Sequence, residues 1–323
     1  MTRIGILGCG NIASVMAKTV REMPSFVLSA VASRSIDRAT AFAAKWGARS
    51  AYGSYRELAA DPNVDLVYIA TPHSEHFSNM MLCLDFRKNI LCEKPFTVNR
   101  RQAEVIFRRA ADLGCFAAEA MWTRFLPFVR TIRQTLDSGI IGSPVLLTAN
   151  LGAPMEQIPR IADPKLAGGA LLDIGIYALV FAELFFGNRL ELVASSCTKT
   201  DTGVDRTDSI TLADPDGRMA ILYASIAGAT DGTGRIACTN GRAVLEYIPN
   251  FRGMKLFDRQ NRELASYSPP VQITGYEYEL LSVQNALRKG IMECPENPHA
   301  ETMRRMGLMD DLRRQWNLRY PFE

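Results

Sequence analysis

The stretch GILGCGNIASVMAKTV, residues 5–20, contains the pattern Gly8-x-Gly10-x-x-Ala13 between an apolar run and a helical pattern. Gly8 permits a tight turn, Gly10 lets the backbone approach an anion closely, and Ala13 allows the helix to pack near the strand. The first N–H groups of such a helix have no partner within the helix and point towards a bound phosphate. A glycine pattern alone is a weak signal, but between a first strand and a first helix it indicates a dinucleotide-binding loop.

Around this loop, the first third of the chain alternates short apolar runs with helical patterns. Candidate strands cover residues 3–8, 27–33, 65–71, 89–95 and 115–121, and candidate helices cover 11–22, 37–46, 54–60, 74–85 and 99–112. Such alternation, with continuously apolar strands, is typical of a parallel sheet covered on both faces. We therefore predict an α/β fold with an N-terminal Rossmann domain, a doubly wound parallel sheet, over residues 1–121.

After residue 121 the pattern changes to one helix near 124–137, an apolar helix, and then mostly strands. Two turns between strands are explicit: DPDG at 214–217, and TNGR at 239–242, whose Asn-Gly pair suits a type I′ hairpin. This pattern predicts a C-terminal α+β domain over 122–323, built on a large, mostly antiparallel open sheet. We expect its last helix, about 300–316, to pack back on the Rossmann domain.

Composition narrows the class of protein. The chain has 323 residues, with 37 Lys and Arg against 34 Asp and Glu, a formal charge of +3 that does not favour nucleic acid as a partner. Its seven cysteines form no C-x-x-C pair, which argues against a disulfide framework and a zinc site and fits a reducing cytoplasm. The N-terminus runs straight into the glycine pattern without the layout of a signal peptide.

One apolar run, GGALLDIGIYALVFAELFFG at 168–187, is nearly long enough to cross a bilayer. It contains Asp173 and Glu183, whose carboxylates are unfavourable in lipid. The sequence therefore favours a buried helix and no membrane partner.

The end of the second candidate strand indicates which dinucleotide is bound. An NAD site usually has an acidic residue there, about 20 residues after the glycines, to hold the ribose 2′-hydroxyl. Here Ser33 and Arg34 occupy that place, and Arg38 follows one helical turn later. Because guanidinium groups suit a 2′-phosphate, we predict NADP(H) rather than NAD(H) as the cofactor; the alternative is that Arg34 is an ordinary surface arginine.

The stretch LCEKPF, residues 91–96, puts Glu93 and Lys94 at the end of the fifth candidate strand, where ligands bind in such sheets. Pro95 restricts Lys94 to an extended conformation and so fixes the direction of the chain. The alternative is a strand end with two solvated charges.

A second candidate group lies in the apolar run, where Asp173 and Tyr177 are four residues apart and share a helix face. The preceding Gly168-Gly169 pair admits close approach of either a ligand or another backbone. A tyrosine has an ordinary pKa of about 10, so it acts as a base at neutral pH only beside a cation. Our hypothesis is that Tyr177 transfers a proton, Lys94 lowers its pKa and binds the substrate hydroxyl, and Asp173 orients the substrate or the lysine. Individually, these residues could equally be a half-buried core aromatic, a solvated lysine and a helix cap.

Six motifs in this order, GILGCGNIA, VASRS, YIATPHSEH, LCEKPF, AEAMWTRFLP and GGALLDIGIYAL, together resemble the glucose-fructose oxidoreductase/inositol dehydrogenase/MocA family over the whole chain, including the terminal YPFE. AEAMWTRFLP and GGALLDIGIY most resemble its branch of dimeric dihydrodiol dehydrogenases and D-xylose dehydrogenases. The resemblance implies a cis bond before Pro95 and Lys94 beside the nicotinamide. Other branches have histidine as the acid/base where this chain has Tyr177, as in the dihydrodiol branch.

The resemblance also extends the set of expected contacts. It implies that Thr71, Pro72, His73 and His76 surround the nicotinamide ribose, so His-x-x-His is a cofactor contact and no metal is expected. It implies that Trp122, Arg124 and Phe125 contact substrate and cofactor. The full set expected at the cofactor is Gly8, Gly10, Asn11, Ile12, Ser33, Arg34, Arg38, Thr71, Pro72, His73, His76, Glu93, Lys94, Trp122 and Arg124; the set expected at the substrate is Lys94, Trp122, Phe125, Asp173 and Tyr177.

Together these features predict an NADP(H)-dependent oxidoreductase that transfers a hydride to or from a hydroxyl-bearing carbon of a sugar or cyclic diol, of the D-xylose or trans-dihydrodiol type. One alternative is a reductase of anhydro-sugar ketones or dicarbonyls. Another is a non-catalytic NADP-sensing regulatory protein, which the joint presence of Lys94, Asp173 and Tyr177 disfavours. The resemblance further implies a homodimer formed through the C-terminal sheet, and the scattered cysteines predict a cytoplasmic location.

Overall fold

The computed structural model describes every residue from Met1 to Glu323, in two compact units. The first unit comprises Met1–Trp122 and Gln272–Met306, and the second comprises Thr123–Val271 and Gly307–Glu323. The sequence-based boundary after residue 121 lies one residue from this division. The domain drawn over 122–323 differs from it, because residues 272–306 return to the first unit.

Side chains far apart in the chain hold that returning segment in the first unit. Gln284 Nε2 donates to Thr2 Oγ1 at 2.8 Å and to the carbonyl oxygen of Ser25 at 3.1 Å. Arg305 Nη2 lies 2.8 Å from Glu119 Oε2. The helix predicted at 300–316 is present as His299–Gln315, and the division falls inside it, after Met306.

The first unit is built on a six-stranded parallel sheet with the strand order β3-β2-β1-β4-β5-β6. This order confirms the predicted Rossmann fold. The strands are β1 (Thr2–Leu7), β2 (Phe26–Ala32), β3 (Ser50–Tyr52), β4 (Leu66–Ile69), β5 (Asn89–Glu93) and β6 (Ala117–Ala120). The short edge strand β3 has no counterpart among the candidate strands.

Seven helices belong wholly or partly to this unit: α1 (Asn11–Glu22), α2 (Ile36–Trp46), α3 (Tyr55–Ala60), α4 (His76–Asp85), α5 (Arg100–Leu113), α9 (Glu277–Lys289) and α10 (His299–Gln315). Their ends follow from sequence. In α5, for example, the Asn99 side chain accepts from the N–H of Gln102, and Gly114 closes the helix in the left-handed conformation with φ 65°.

The second unit contains an eight-stranded sheet with the order β14-β13-β12-β11-β7-β10-β9-β8, in which only β7 and β10 pair in parallel. The predicted α+β domain on a mostly antiparallel sheet is therefore confirmed. Its strands are β7 (Pro144–Gly152), β8 (Glu191–Lys199), β9 (Asp205–Ala213), β10 (Met219–Ser225), β11 (Gly234–Cys238), β12 (Gly241–Glu246), β13 (Gly253–Asp258) and β14 (Glu263–Tyr267). The helices are α6 (Phe128–Asp137), α7 (Pro159–Ala162) and α8 (Ile176–Phe186).

The TNGR turn joins β11 to β12 where predicted, but without type I′ geometry. Cys238 pairs with Gly241, so Thr239 and Asn240 are the loop residues, and neither has the positive φ that type I′ requires. Their N–H groups instead donate to the carbonyl oxygens of Ser143 and Ile141, at 3.0 and 2.9 Å. The neighbouring chain therefore determines the shape of this turn.

By length and composition alone, the helical segment Pro164–Phe186, which contains most of the apolar run, could cross a membrane. It is 94% buried inside the protein, as expected for a core helix. A π-helical turn at Leu171–Gly175 precedes α8 within it. Such turns are rare and occur frequently at functional sites.

Candidate dinucleotide loop and catalytic groups

The loop between β1 and α1 has the geometry of an anion-binding turn. Gly8 has φ 98°, and a Cβ there would lie 2.6 Å from the carbonyl oxygen of Ala70, so only glycine fits. A Cβ on Gly10 would meet nothing within 4 Å, which leaves open space above the backbone. Gly10 also begins α1 without a side-chain cap, so the first N–H groups of this helix are available to a phosphate.

Two arginines lie beside this loop at the end of β2. Arg34 and Arg38 are exposed, whereas Ser33 is buried. Burial raises the pKa of Tyr55, and the charges of Arg34 and Arg38 both act to lower it, so both guanidinium groups lie near this tyrosine. Burial also raises the pKa of Cys9, which the charge of Arg38 opposes. The residues present therefore fit a phosphate on the ribose better than a free 2′-hydroxyl.

His76 joins the loop after β4 to the loop after β5. Its ring is fully buried, with Nδ1 2.8 Å from the carbonyl oxygen of Pro95 and Nε2 2.9 Å from that of Thr71. Burial lowers the pKa of His76, which favours the neutral ring. Asn79 adds a bond from Nδ2 to Thr71 Oγ1 at 3.0 Å. The sequence did not indicate this bridging role, which holds Thr71 and Pro95 in place.

Metal binding at His73 and His76 has no support from this geometry. Their ring centroids are 5.8 Å apart, and both nitrogens of His76 already face carbonyl oxygens. No group of three or more His, Cys, Asp or Glu side chains is arranged to hold a metal ion.

The Glu93-Lys94-Pro95 segment is held from two sides at the end of β5, and its Lys94–Pro95 bond is cis, as the resemblance implies. Glu93 is buried; its Oε1 accepts a short bond from the Tyr68 hydroxyl, and its Oε2 accepts from the N–H of Lys94 at 3.1 Å. One residue beyond the proline, the N–H of Phe96 donates to Glu119 Oε1 at 3.1 Å. The backbone around Lys94 is therefore fixed by two buried carboxylates.

Glu119 belongs to a buried polar network that sequence reasoning missed. Its carboxylate pairs with Arg305, also accepts from Thr302 Oγ1 at 2.9 Å, and lies 3.4 Å from Asn297 Nδ2. Burial acts to raise the pKa of Glu119, but the charge and hydrogen bond of Arg305 outweigh it and hold that pKa below its ordinary value. Glu119 is thus a carboxylate at neutral pH. Nothing in the sequence near AEAMW indicates a partner 186 residues away.

In the second unit, Asp173 lies in the π-helical turn and Tyr177 near the start of α8, both buried. Arg160 Nη1 lies 2.8 Å from Asp173 Oδ1. Asp205 supports this turn, because its Oδ2 accepts from the N–H of Leu171 at 2.5 Å. Lys94 belongs to the first unit.

The Gly168-Gly169 pair is explained by neighbouring protein atoms. A Cβ on Gly168 would lie 2.2 Å from the carbonyl oxygen of Ile161, and a Cβ on Gly169 would lie 2.0 Å from Asp205 Oδ1. Of the two alternatives left open by the sequence, close approach of protein groups therefore accounts for both glycines.

Next to the division between the units lie three residues expected at the cofactor or substrate, Trp122, Arg124 and Phe125, and their side chains are buried. Trp122 stacks on Tyr276 with ring centroids 4.3 Å apart and planes at 10°. Arg124 Nη1 pairs with Glu183 Oε2 at 3.2 Å, and both side chains are buried. Phe125 is buried as well. Contacts from Trp122, Arg124 and Phe125 to cofactor or substrate stay predictions.

Two family models match the chain: the oxidoreductase family GFO/IDH/MocA with an NAD-binding Rossmann fold, over residues 2–120, and the GFO/IDH/MocA C-terminal domain, over residues 129–244. The chain is 34% identical to trans-1,2-dihydrobenzene-1,2-diol dehydrogenase from Mus musculus, over 99% of this chain and 98% of that one. Its fold is similar to that of a 3-ketoreductase from Actinomadura kijaniata solved with NADP and TDP-benzene, with a TM-score of 0.89, 26% identity and 97% of each chain covered. An aldose-aldose oxidoreductase from Caulobacter crescentus shares the fold at 19% identity, with a TM-score of 0.86 over 97% of this chain and 96% of that one.

Proposed function

Because this chain belongs to the GFO/IDH/MocA oxidoreductase family, we propose that it is an NADP(H)-dependent dehydrogenase acting on a hydroxyl-bearing carbon of a cyclic diol or sugar. The observation that carries the proposal is the full-length 34% identity to a trans-dihydrodiol dehydrogenase. Trans-dihydrodiols and D-xylose are the substrate types to test first, because they offer neighbouring hydroxyl groups.

The cofactor choice is supported by the arginines beside the dinucleotide loop. Arg34 and Arg38 supply positive charge where an acidic residue would hold an NAD ribose, and the 3-ketoreductase of similar fold was solved with NADP. When bound, the nicotinamide supplies or accepts the hydride. In this assignment the open N–H groups of α1 hold the pyrophosphate, and Arg34 binds the 2′-phosphate.

We assign proton transfer to Tyr177, supported by Lys94 and Asp173. A phenol transfers a proton at neutral pH when a nearby cation favours the phenolate, and Lys94 is the cation proposed for that role. Arg160 donates a hydrogen bond to Asp173 Oδ1 and so fixes the carboxylate in place. In this assignment, the carboxylate accepts a hydrogen bond from a substrate hydroxyl and orients it. His73, His76, Trp122 and Phe125 are proposed as lining residues without a proton-transfer role.

The test of the catalytic assignment follows nicotinamide absorbance with NADP⁺ and a panel of D-xylose, D-glucose, inositol and a trans-dihydrodiol. Lys94→Met and Tyr177→Phe should each lower kcat by about a hundred-fold or more, since general acid–base groups contribute factors of 10² to 10⁴. Tyr267→Phe, at a half-buried tyrosine of β14, is the matched control and should keep full activity. Full activity in Tyr177→Phe would remove this tyrosine from the mechanism.

The cofactor assignment has its own test. Arg34→Ala should weaken NADPH binding by about ten-fold or more and leave NADH binding nearly unchanged, because only NADPH carries the 2′-phosphate. Arg49→Ala, at another exposed arginine of the first unit, is the control. Equal binding of NADPH and NADH by the wild type would contradict the assignment.

A reductase acting mainly in the opposite direction is the second candidate, favoured by the similarity to a 3-ketoreductase. The same proton-transfer group would then donate to a carbonyl oxygen. Adding dicarbonyls and NADPH to the panel separates the two directions. Tight NADPH binding without turnover in either direction would instead support a cofactor-sensing regulatory protein.

A homodimer in the cytoplasm completes the proposal. The outer face of β10 exposes Met219, Ile221 and Tyr223 at alternating positions, and Val193 of β8 is exposed as well. A second copy of the chain is the proposed occupant, because an apolar sheet face of this kind is typical of an interface between subunits. Light scattering at micromolar concentration tests this, with Ile221→Lys expected to yield monomers. The seven cysteines are all free thiols, which suits a reducing compartment.

A further inference from the structure

The YPFE motif, residues 320–323, belongs to the second unit and is bonded to the chain that enters the π-helical turn. The hydroxyl of Tyr320 donates to the carbonyl oxygen of Gly168 at 2.7 Å. Only 2% of Tyr320 is exposed, so this bond is shielded from water. Asp173, the carboxylate of the proposed mechanism, follows Gly168 by five residues. The motif therefore reaches the approach to that carboxylate directly.

The Gly168 carbonyl group needs a partner from another part of the chain. Gly168 is buried and lies before Ala170, the N-cap of the π-helical turn, so its oxygen is outside the helical hydrogen-bond ladder. A buried carbonyl oxygen without a partner destabilises the native state. Burial raises the pKa of Tyr320 well above its ordinary value, so the hydroxyl keeps its proton and supplies the missing donor.

The Tyr320 ring and backbone are themselves held by an ion pair. Arg313, on α10, donates to both carboxylate oxygens of Glu323, at 2.6 and 3.0 Å, and both side chains are largely buried. The guanidinium carbon of Arg313 lies 5.0 Å from the centre of the Tyr320 ring. Glu323 Oε2 also accepts from the N–H of Tyr320 at 3.1 Å. One bidentate pair thus orients the tyrosine from two sides.

The segment that receives the hydroxyl bond depends on restraints from outside. Gly168 and Gly169 have no side chains that could pack and hold it. The N–H of Gly169 donates to the carbonyl oxygen of Ile161 at 2.9 Å. The N–H of Leu171 donates to Asp205 Oδ2 at 2.5 Å. Hydrogen bonds from other segments therefore set where the π-helical turn begins, and the tyrosine hydroxyl contributes one of them.

We propose that Tyr320 is a positioning residue for the reaction, which fixes the start of the π-helical turn and thereby the carboxylate of Asp173. Arg313 and Glu323 act one step further out, because they orient the tyrosine. The proposal rests on the proposed function, since it concerns the carboxylate that orients the substrate in that mechanism.

The expected size of the effect follows from the demands of positioning. A misplacement of about 1 Å caused by a change far from the chemistry can lower a rate about a hundred-fold. Loss of the hydroxyl leaves the bonds to Ile161 and Asp205 in place, so the turn is loosened and not released. We therefore expect a rate loss of about ten-fold.

The first arm of the test measures kcat of Tyr320→Phe, on the substrate that the wild type turns over. This change keeps the ring, which stacks on Phe322 with centroids 5.8 Å apart, and removes only the hydroxyl. Its kcat should fall about ten-fold, while NADPH binding should not change, because the dinucleotide loop belongs to the first unit. Full kcat in this variant would overturn the proposal.

Thr135→Val is the matched control in the same unit. Thr135 is buried in α6, and its hydroxyl donates to the carbonyl oxygen of Thr131 at 2.9 Å. The variant also loses one buried hydroxyl bond to a backbone carbonyl group, but that bond is within α6. It should therefore keep full kcat.

A double-mutant cycle separates positioning from a general loss of structure. If Tyr320 acts through Asp173, then Tyr320→Phe should lower kcat by less than about two-fold in an Asp173→Asn background, since the carboxylate that it positions is already absent. A purely structural effect would instead reduce kcat by the same factor in both backgrounds. Effects that multiply in this way would overturn the positioning role.

The second arm needs no substrate and follows hydrogen exchange of the backbone by mass spectrometry. In Tyr320→Phe, exchange in a peptide covering residues 165–175 should be about ten-fold faster than in the wild type, because losing one hydrogen bond makes local opening easier. Glu323→Gln should raise exchange there by a smaller factor, and Thr135→Val should not change it. Unchanged exchange in Tyr320→Phe would overturn the proposal.

The two arms distinguish failure of this proposal from failure of the proposed function. If the wild type turns over none of the substrates, the proposed function fails. The exchange measurement still decides whether Tyr320 holds the π-helical turn.

Discussion

Replacing Glu119 by glutamine removes the charge that balances Arg305 inside the first unit. Both side chains are completely buried, and Arg305 Nη2 lies 2.8 Å from Glu119 Oε2. Removing one partner of a buried ion pair costs about 3–5 kcal/mol, because the other charge is left buried and unbalanced. The N–H of Phe96 binds Glu119 Oε1 and Thr302 binds Oε2, so the single oxygen of glutamine keeps one of these bonds, and the other is lost together with the charge.

Thermal unfolding at pH 7 measures this loss. With a midpoint shift of about 2–4 °C per kcal/mol for a unit of this size, Glu119→Gln should unfold roughly 6–20 °C below wild type. The paired replacement Glu119→Leu with Arg305→Met removes both charges and should be more stable than Glu119→Gln alone. Asp85→Asn, which breaks an exposed pair with Arg109, should shift the midpoint by only about 2 °C or less.

The effect should also depend on pH. The folded pKa of Glu119 lies below its ordinary value, so its contribution is present above the unfolded pKa of about 4.3 and is lost as pH falls through the folded pKa. The difference between wild type and Glu119→Gln should therefore shrink below about pH 4. A midpoint within 2 °C of wild type at pH 7, or a double variant less stable than the single one, would refute the reasoning.

Three further outcomes are expected. Gly169→Ala should lower the unfolding midpoint far more than Gly187→Ala, because both have positive φ but only the first Cβ meets a neighbour, Asp205 Oδ1 at 2.0 Å. Asp208→Asn should stabilise the protein at pH 8 more than at pH 4 in denaturant titrations, since burial and the charge of Asp205 raise the folded pKa of Asp208 and penalise folding as pH rises. Gly8→Ala should abolish NADPH binding measured by calorimetry, because its Cβ would displace Ala70 and reshape the loop.

The features that sequence predicted well are those with a strong local signal. Five of the six strands and the helices of the first unit follow from apolar periodicity, because each strand is continuously apolar between two helices. Strand β3 was not predicted, because a strand of three residues, Ser50–Tyr52, is too short to show an alternating pattern. The hairpin at Asn240-Gly241 was located correctly, but its geometry depends on bonds to Ile141 and Ser143 that no local pattern contains.

The features that sequence missed depend on contacts between distant segments. Glu279 lies in the stretch EYELL, which has the composition of a solvated helix face, and only the structure reveals that it is completely buried. His76 is predicted as a cofactor contact, and its bridging bonds to two carbonyl oxygens were not foreseen, because carbonyl groups carry no side-chain signal in the sequence. The sequence predicts that the last helix packs back on the Rossmann domain, but the boundary at 121 still places residues 272–306 in the second domain, because nothing local to that stretch indicates which unit it joins.

That return has a consequence for synthesis on the ribosome. Arg305 is made 186 residues after Glu119, which at about 5–20 residues per second is a delay of roughly 10–40 s. During that time the nascent Rossmann sheet lacks the cation for Glu119, the helix that carries Glu279, and the glutamine that binds Thr2. The second unit is translated almost completely before the first can close, so an mRNA truncated after codon 271 yields neither unit in finished form.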